Sequence, residues 1–498
     1  MRRWLVVAAA LLAGCTGSTG NNDDGSVNGD HKIPGDGTPP LVDSLLPPVP
    51  DGDVPPPANL PTFVNLDWSG FPKDPGPNYA VSGKTIVVKT SGNDGNPGSE
   101  ASPMRTIAAA LDKAASGDMV KVHGGSYSES WPDDYRALVM TKPNVVLTAA
   151  AGEQVTVTSS YEYGIAIEAS NIVVNGINLQ GFTYSIQIGR SSGQKNVVIS
   201  NLTITGGSEG EGIIAYDQGS GTPVLDGLLV KNVTVLNAWM GISCNAGPCK
   251  SWRFENVKVD GGGGSGSGAD AIAVEDGDNF LFHNVEVTGV AADGIDTKAT
   301  RVVIWGCHVH HVERNGVKLW HGGDVVNTLI HHTGADAAVV TEEGPKTRLL
   351  HTVVAYHEKG GPTGYNMTFG YDSQAAQTVE IIDSIIYNTN GGTYFNGASN
   401  VLIENSLFFG IDDGMVLQSV KYGTVTLAHG PQRIDSLGMG SANIFADPKL
   451  NASFHLQAGS PAIDKGKKLS NQYYPTTDLA GGPRVKGSGP DIGPFEDF

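Results

Sequence analysis

Val198-Ile199-Ser200-Asn201-Leu202, Val230-Lys231-Asn232-Val233, Phe254-Glu255-Asn256-Val257 and Phe282-His283-Asn284-Val285 are versions of one pattern. Each is a short apolar strand, a small turn residue and a second strand. An earlier copy is Val173-Val174-Asn175-Gly176-Ile177, and the pattern continues through Ile304-Trp305-Gly306-Cys307 and Val326-Asn327-Thr328-Leu329. The last copies are Leu350-His351-Thr352-Val353, Ile382-Asp383-Ser384-Ile385 and Ile403-Glu404-Asn405-Ser406-Leu407. The central turn positions read as 176, 201, 232, 256, 284, 306, 328, 352, 384 and 406, spaced 22 to 32 residues apart. A floor of 22 with occasional insertions fits one coil of a parallel β-helix per repeat, with longer loops bulging at a corner. Asn201, Asn232, Asn256 and Asn284 then share one column, which suits a ladder of side-chain amides. Propeller blades need about 40–50 residues and hairpin turns. Leucine-rich repeats need a leucine framework that this chain lacks.

Outward from the repeats, Lys84-Thr85-Ile86-Val87-Val88 reads as the first strand, and Ser102-Pro103 as an N-cap with proline at the first helical position. Thr106–Ala115 reads as a short helix with one apolar stripe, and the chain returns to strand after Gly117-Asp118. This opening resembles that of many secreted right-handed β-helix proteins, whose helix covers the first coil. The expected fold is all-β, a right-handed parallel β-helix over 81–450 with a short N-terminal capping helix. Ser460-Pro461-Ala462-Ile463-Asp464, Asp478–Arg484 and Pro490–Glu496 resemble the C-terminal segment of exported bacterial β-helix proteins. Residues 451–498 are accordingly expected to close the last coils.

The composition agrees. Sixty-seven glycines in 498 residues, 7% aromatic and 17% charged residues suit strands joined by tight turns. A formal net charge of −19 excludes a nucleic-acid partner in this reading, because phosphate recognition needs a basic surface. Arg2-Arg3 followed by an apolar run from Trp4 to Ala13 reads as an export signal, too short to span a bilayer. Leu12-Ala13-Gly14-Cys15 resembles the bacterial lipoprotein box, which implies cleavage after residue 14 and lipidation of Cys15. Thr16 stands where an inner-membrane retention signal carries Asp, so the resemblance implies an outer-membrane or cell-surface lipoprotein. Residues 16–80 hold 13 of the 28 prolines, between Pro34 and Pro77, and read as a disordered tether. Cys244 and Cys249 flank a turn-rich loop that an oxidising compartment would let close as a disulfide. Cys307 occupies an apolar strand position and reads as a core residue.

The chemistry concentrates between residues 268 and 321. GADAIAV (268–274), AADGIDT (291–297) and ERNGVKL (313–319) align on Ala271-Ile272, Gly294-Ile295 and Gly316-Val317. Asp270, Asp293 and Asn315 then form one column, and Ala273, Asp296 and Lys318 its neighbour. Adjacent coils lie about 4.8 Å apart, so the carboxylates of Asp270, Asp293 and Asp296 repel unless a cation bridges them. Oxygen ligands alone favour Ca²⁺ over zinc or copper.

Asp293-Gly294-Ile295-Asp296, followed one coil later by Asn315-Gly316-Val317-Lys318-Leu319, resembles the site of family 9 polysaccharide lyases, which include calcium-dependent pectate lyases. The resemblance is loose over 84–140 and at motif level over 268–320. It implies a pectin lyase-like solenoid with Ca²⁺ as cofactor. Asp293 and Asp296 would be calcium ligands, Asp270 a third, and Lys318 the catalytic base. Two positions depart from the family pattern: Ala292 stands where a second adjacent aspartate is usual, and Val317 where an aromatic residue is usual.

The implied reaction is β-elimination on a uronic-acid polymer, with an acidic polysaccharide as partner and the chain acting as a monomer. A charge-neutralised substrate carboxylate makes the C5 proton removable, and the lysine must be neutral to take it. Lys298, Arg314, Trp320 and His321 flank the motif and are candidates for holding a substrate carboxylate or stacking on a sugar. His308, His310, His311, His331 and His332 are numerous, but the adjacent pairs point to opposite strand faces, which argues against a histidine metal site. A polygalacturonase-like hydrolase would need an adjacent aspartate pair on the next coil, where Arg314-Asn315 stand instead. A non-catalytic glycan-binding or adhesive β-helix is the remaining alternative, because the fold alone does not choose among activities.

Overall fold

The computed structural model describes residues 66–498 apart from 75, 77–80, 132–134, 190–192, 207–209, 217–223, 262–269, 335–336, 359–363, 371–376, 397 and 470–474. Cys15, the export signal and most of the tether lie outside the described residues. The described chain winds into a right-handed parallel β-helix with three walls, whose strands pair with their counterparts one coil away until Gly423–Thr426 folds back antiparallel on Met415–Ser419. The first wall runs from Arg136–Met140 through Tyr163–Ile167, Tyr184–Ile188, Glu211–Tyr216 and Met240–Ala246, then on to the later coils. The second starts at Thr85–Val88 and Met119–Val122, and the third at Gly125–Ser128 and Val155–Thr158. Long strands such as Ile272–Thr288 bend across corners and serve more than one wall.

Alternation decides which side chains fill the coil. On the first wall Ile242, Ile272, Ile295, Val317, Val339 and Met367 stack in register, all fully buried. Their neighbours Ala273, Asp296, Lys318 and Val340 point outward. The amide ladder between the second and third walls is present. Asn232 Nδ2 donates to Asn201 Oδ1 at 2.8 Å, Asn256 to Asn232 at 2.8 Å and Asn284 to Asn256 at 2.6 Å. Each of these residues holds a positive φ of 52 to 55°, a conformation asparagine tolerates better than most.

Below Gly306 the sequence alignment is one residue out. The ladder column continues through Asn327, His351, Asp383 and Asn405, all with positive φ, rather than through 328, 352, 384 and 406. Thr328, Thr352, Ser384 and Ser406 instead turn inward as a buried hydroxyl column. Thr352 N donates to Ser384 Oγ at 3.2 Å and Ser384 N to Ser406 Oγ at 3.3 Å. A β-branched threonine resists positive φ, so the corner falls on the residue before it.

The capping helix is Ile107–Lys113, and Ile107, Ala108, Ala110 and Leu111 cover the first coil. Its N-cap is Thr106, not Ser102: the Thr106 side chain accepts from Ala109 N at 3.3 Å. The buried Glu129 carboxylate accepts from Ile107 N at 2.8 Å and Ala108 N at 2.9 Å. Ser102-Pro103 belongs to the turn before it.

Two segments cover the outside of the coil. The end of the stretch expected to be disordered tether is ordered over 66–74, because Leu66, Trp68 and Phe71 pack on Leu281, Val303 and Trp305 of the second wall. Asp67 N and O pair with the Asn279 side chain at 2.8 and 2.9 Å, and Lys231 Nζ reaches Asp74 at 2.6 Å. At the other end, Ile434 and Met439, contributed by residues 432–440, enter the main core and close the final coil. The described residues of 451–498 run back along the outer face of the third wall. There Phe454, Leu456, Leu479, Ile492 and Phe495 cover Leu329, Val353, Ile385 and Leu407. The outward face of the first wall carries the Asp270, Asp293, Asp296 and Lys318 cluster.

Candidate functional site

The corner before each first-wall strand is built by side chains that accept backbone N–H groups from the coil below. Asp293 N donates to Asp270 Oδ1 at 2.9 Å, Asn315 N to Asp293 Oδ1 at 3.0 Å and Ala337 N to Asn315 Oδ1 at 3.0 Å. Asn315 Nδ2 adds a second bond to Asp293 Oδ1 at 2.8 Å. Gly294 follows Asp293 for space: a Cβ there would lie 2.6 Å from the Gly316 carbonyl oxygen and 2.6 Å from Val309 Cγ1. One oxygen of Asp270 and one of Asp293 are thus committed to the fold.

The second Asp293 oxygen faces the outward column. Asp296 and Lys318 are direct register partners on adjacent coils. Lys318 Nζ lies 2.8 Å from Asp296 Oδ2 and 3.3 Å from Asp293 Oδ2. Carboxylate oxygens of Asp270, Asp293 and Asp296 lie within 4.8 Å of one another. Asp296 Oδ1 is buried without a hydrogen-bond partner. The Lys318 side chain keeps 18% of its surface exposed, so the cluster opens to solvent through the lysine.

The electrostatics follow from crowding. Burial, with the neighbouring Asp293 charge, pushes the Asp270 carboxyl up to about 7. Burial also raises Asp296, against the pull of Lys318. Burial opposes the charge on Lys318, but Asp296 and Asp293 outweigh it and hold the ammonium above its ordinary range. Three carboxyl groups thus crowd around one ammonium that contacts two of them, and one of their buried oxygens has no donor. That oxygen-only donor set fits a hard divalent cation such as Ca²⁺.

The flanking candidates divide. Trp320 brings its ring to 5.2 Å from Lys318 Nζ, and Arg314 Nε stands 4.0 Å from Asp293 Oδ1 at the rim. Lys298 is engaged by Glu275. His321 pairs with Glu343 at 3.2 Å and lines a different hollow with Arg301, Lys346 and Arg348, around the corner from the Asp–Lys cluster. Cys244 and Cys249 are joined as a disulfide, and Cys307 is buried as a free thiol.

One grouping was discounted in the sequence and is present in the structure. His308, His310 and His331 are buried together, each offering a ring nitrogen within 4.8 Å of the others. The adjacent pairs do not point to opposite faces: His311 and His332 take positive φ at the corner, and their Nδ1 atoms lie 2.7 Å from those of His310 and His331. The signal that would have found the trio is the i, i+2 pair His308/His310 combined with the register His310↔His331. Burial keeps His308 and His331 well below the ordinary histidine range.

A family model described as a protein of unknown function (DUF1565) matches residues 90–148. The chain is 28% identical over 127 residues to the uncharacterized protein YwoF of Bacillus subtilis (strain 168). That match takes in 26% of this chain and spans about a quarter (23%) of the length of the curated relative. Among solved structures, XylC in complex with xylose is similar at 10% identity and TM-score 0.41, over 83% of this chain and 98% of that one. Pectate lyase Pel9A is similar at 13% identity and TM-score 0.34, over 84% and 97%. The A-module of the Azotobacter vinelandii mannuronan C-5 epimerase AlgE6 is similar at 13% identity and TM-score 0.45, over 68% and 93%. None of these likenesses carries an assignment of activity to this chain.

Proposed function

We propose that this chain is an exported, lipid-anchored polysaccharide lyase that cleaves a uronic-acid polymer by β-elimination at the first-wall cluster. The observation that supports it is the solvent-reaching Lys318 in contact with Asp293 and Asp296, beside the unpartnered buried Asp296 Oδ1. Ca²⁺ held by Asp270, Asp293 and Asp296 would supply the positive charge that neutralises a substrate carboxylate. Lys318 Nζ is the group to accept the C5 proton. As the N–H bond forms, the C5–H electrons become the C4–C5 double bond and the C4–O bond breaks. The leaving oxygen takes its proton from water. Lys318 serves as base only when its two carboxylate partners are otherwise engaged, because in the present arrangement they hold its proton. Trp320 offers an apolar face beside the amine, and Arg314 a guanidinium at the rim for a second carboxylate.

The same ion pair favours a second reading. Lys318 as resident counter-ion of two buried carboxylates would make the cluster a structural element of a non-catalytic glycan-binding coil.

Incubating the purified chain with pectate, alginate and glycosaminoglycans separates the two. A lyase gives the ultraviolet absorbance of a new C4–C5 double bond, which chelator abolishes and calcium restores. Retention of a polyuronate on a column without unsaturated product supports the binding reading, and release of reducing ends without that chromophore supports a hydrolase. Full activity in Lys318→Ala would remove the lysine from its assigned role.

A further inference from the structure

Three imidazoles meet where the C-terminal segment begins to cover the third wall. His308 and His310 are two residues apart on one strand and face outward together, and His331 stands directly below His310 on the next coil. His308 Nε2 and His331 Nε2 are 2.6 Å apart, and His310 Nε2 is buried without a hydrogen-bond partner. The opposite edges of two rings are held in place. His310 Nδ1 lies 2.7 Å from His311 Nδ1, and His331 Nδ1 lies 2.7 Å from His332 Nδ1. A ring fixed through Nδ1 with Nε2 turned into a shared buried space is the usual posture of a metal-bound histidine. Two lone pairs facing each other in a dry pocket repel unless a proton or a cation lies between them. The Phe454 ring closes the pocket from the tail side, 4.5 Å from the His331 ring.

We propose that His308, His310 and His331 bind one divalent transition-metal ion of the zinc class through their Nε2 atoms, beneath Phe454. Glu286, whose Oε1 is 3.6 Å from His310 Nε2, stands next to the fourth position. Three imidazoles favour zinc, cobalt, nickel or copper over calcium, so this site and the carboxylate cluster on the first wall select different ions. With all of these groups on successive coils and Phe454 of the tail lying over them, the ion would brace neighbouring coils beneath the cover rather than form a reaction centre.

The test loads the chelator-stripped full-length chain with Zn²⁺ or Co²⁺, desalts it and measures metal content. Roughly one ion per chain is expected, with the visible d–d bands of nitrogen-ligated tetrahedral cobalt. His308→Gln and His331→Gln should each weaken retention at least tenfold, and His123→Asn, at a half-buried site elsewhere on the coil, should leave it unchanged. X-ray absorption at the zinc edge of the unsubstituted chain needs no variant to fold. Three nitrogen scatterers at about 2.0 Å support the site, and an oxygen-only shell overturns it. No stoichiometric retention, or retention indifferent to the His308 and His331 substitutions, overturns it as well.

Discussion

Lys318 Nζ sits 2.8 Å from Asp296 Oδ2, and the two residues are register partners on adjacent coils of one outward column. The coil repeat makes their contact obligatory, since the strand register and the inter-coil spacing bring together whatever charges occupy those slots. An amine in that slot competes with any divalent cation for the same oxygens. Replacing Lys318 by Met should therefore have opposite effects on two measurements. In chelator at neutral pH the variant should lose roughly 2–4 kcal/mol in urea unfolding, because two buried carboxylates lose their counter-ion. Calorimetry should show tighter Ca²⁺ binding than in the parent. Weaker binding would mean that the lysine supports the ion rather than competing with it.

Asp293 has two separable roles. Its Oδ1 accepts from Asn315 N and Nδ2, while its Oδ2 faces Lys318. Asp293→Asn keeps an acceptor for the corner and removes the charge. Its unfolding midpoint should stay near the parent's while Ca²⁺ affinity falls by at least about tenfold. Asp293→Ala also strands the Asn315 amide and should cost a further 1–3 kcal/mol or so. Equal destabilisation by the two variants would show that the charge, and not the ladder, holds this corner.

Glu211, higher on the first wall, adds a slope of its own to the stability curve. Burial pushes its carboxyl up to about 7, and its Oε2 has no hydrogen-bond partner. The folded chain thus keeps a proton that the unfolded chain releases near the ordinary glutamate value. Stability is fully present below that value, falls as pH rises toward 7 and levels off above it. Glu211→Gln should be more stable than the parent at pH 8, by about 1–3 kcal/mol, and indistinguishable from it at pH 4. Urea titrations at the two pH values check this, and a parallel offset at both would assign the effect to packing.

The coil was legible where the repeat carries asparagine. Asn201, Asn232, Asn256 and Asn284 mark a corner that demands positive φ, and aligning Gly294 with Gly316 placed Asp296 over Lys318 correctly. The reading slipped at Asn327-Thr328 because both residues suit turns. Only the steric cost of positive φ for threonine decides which takes the corner. The trio of His308, His310 and His331 was discounted because strand alternation assigns adjacent histidines to opposite faces, whereas His311 and His332 sit at a positive-φ corner and His331 pairs in register with His310. The order of residues 66–74 was hidden by prolines that pattern as linker. Leu66, Trp68 and Phe71 have no periodicity of their own, and their partners lie more than 200 residues away. The state of Lys318 was not legible for a different reason. Sequence shows which charges are near, but their balance against burial depends on distances.

Arg484 ties the C-terminal cover to the coil. It is fully buried, donates to Gly493 O at 2.9 Å and Pro494 O at 2.8 Å, and also bonds the Asn327 side chain. Asn327 in turn donates to Thr477 O at 2.9 Å, so a ladder corner of the β-helix and two stretches of the tail meet at one guanidinium. Arg484→Met keeps much of the apolar stem and removes every donor, leaving buried carbonyls unpaired at about 1–3 kcal/mol each. The tail then loses its grip before the coil does, because the three walls hold one another through inter-coil hydrogen bonds that do not involve residues 451–498. Limited proteolysis should cut this variant within the tail while the coil survives, and the bared Leu329, Val353, Ile385 and Leu407 should drive self-association visible by light scattering. If tail and coil instead unfold together in a single transition, the cover is part of the cooperative core and Arg484 is not its separate anchor.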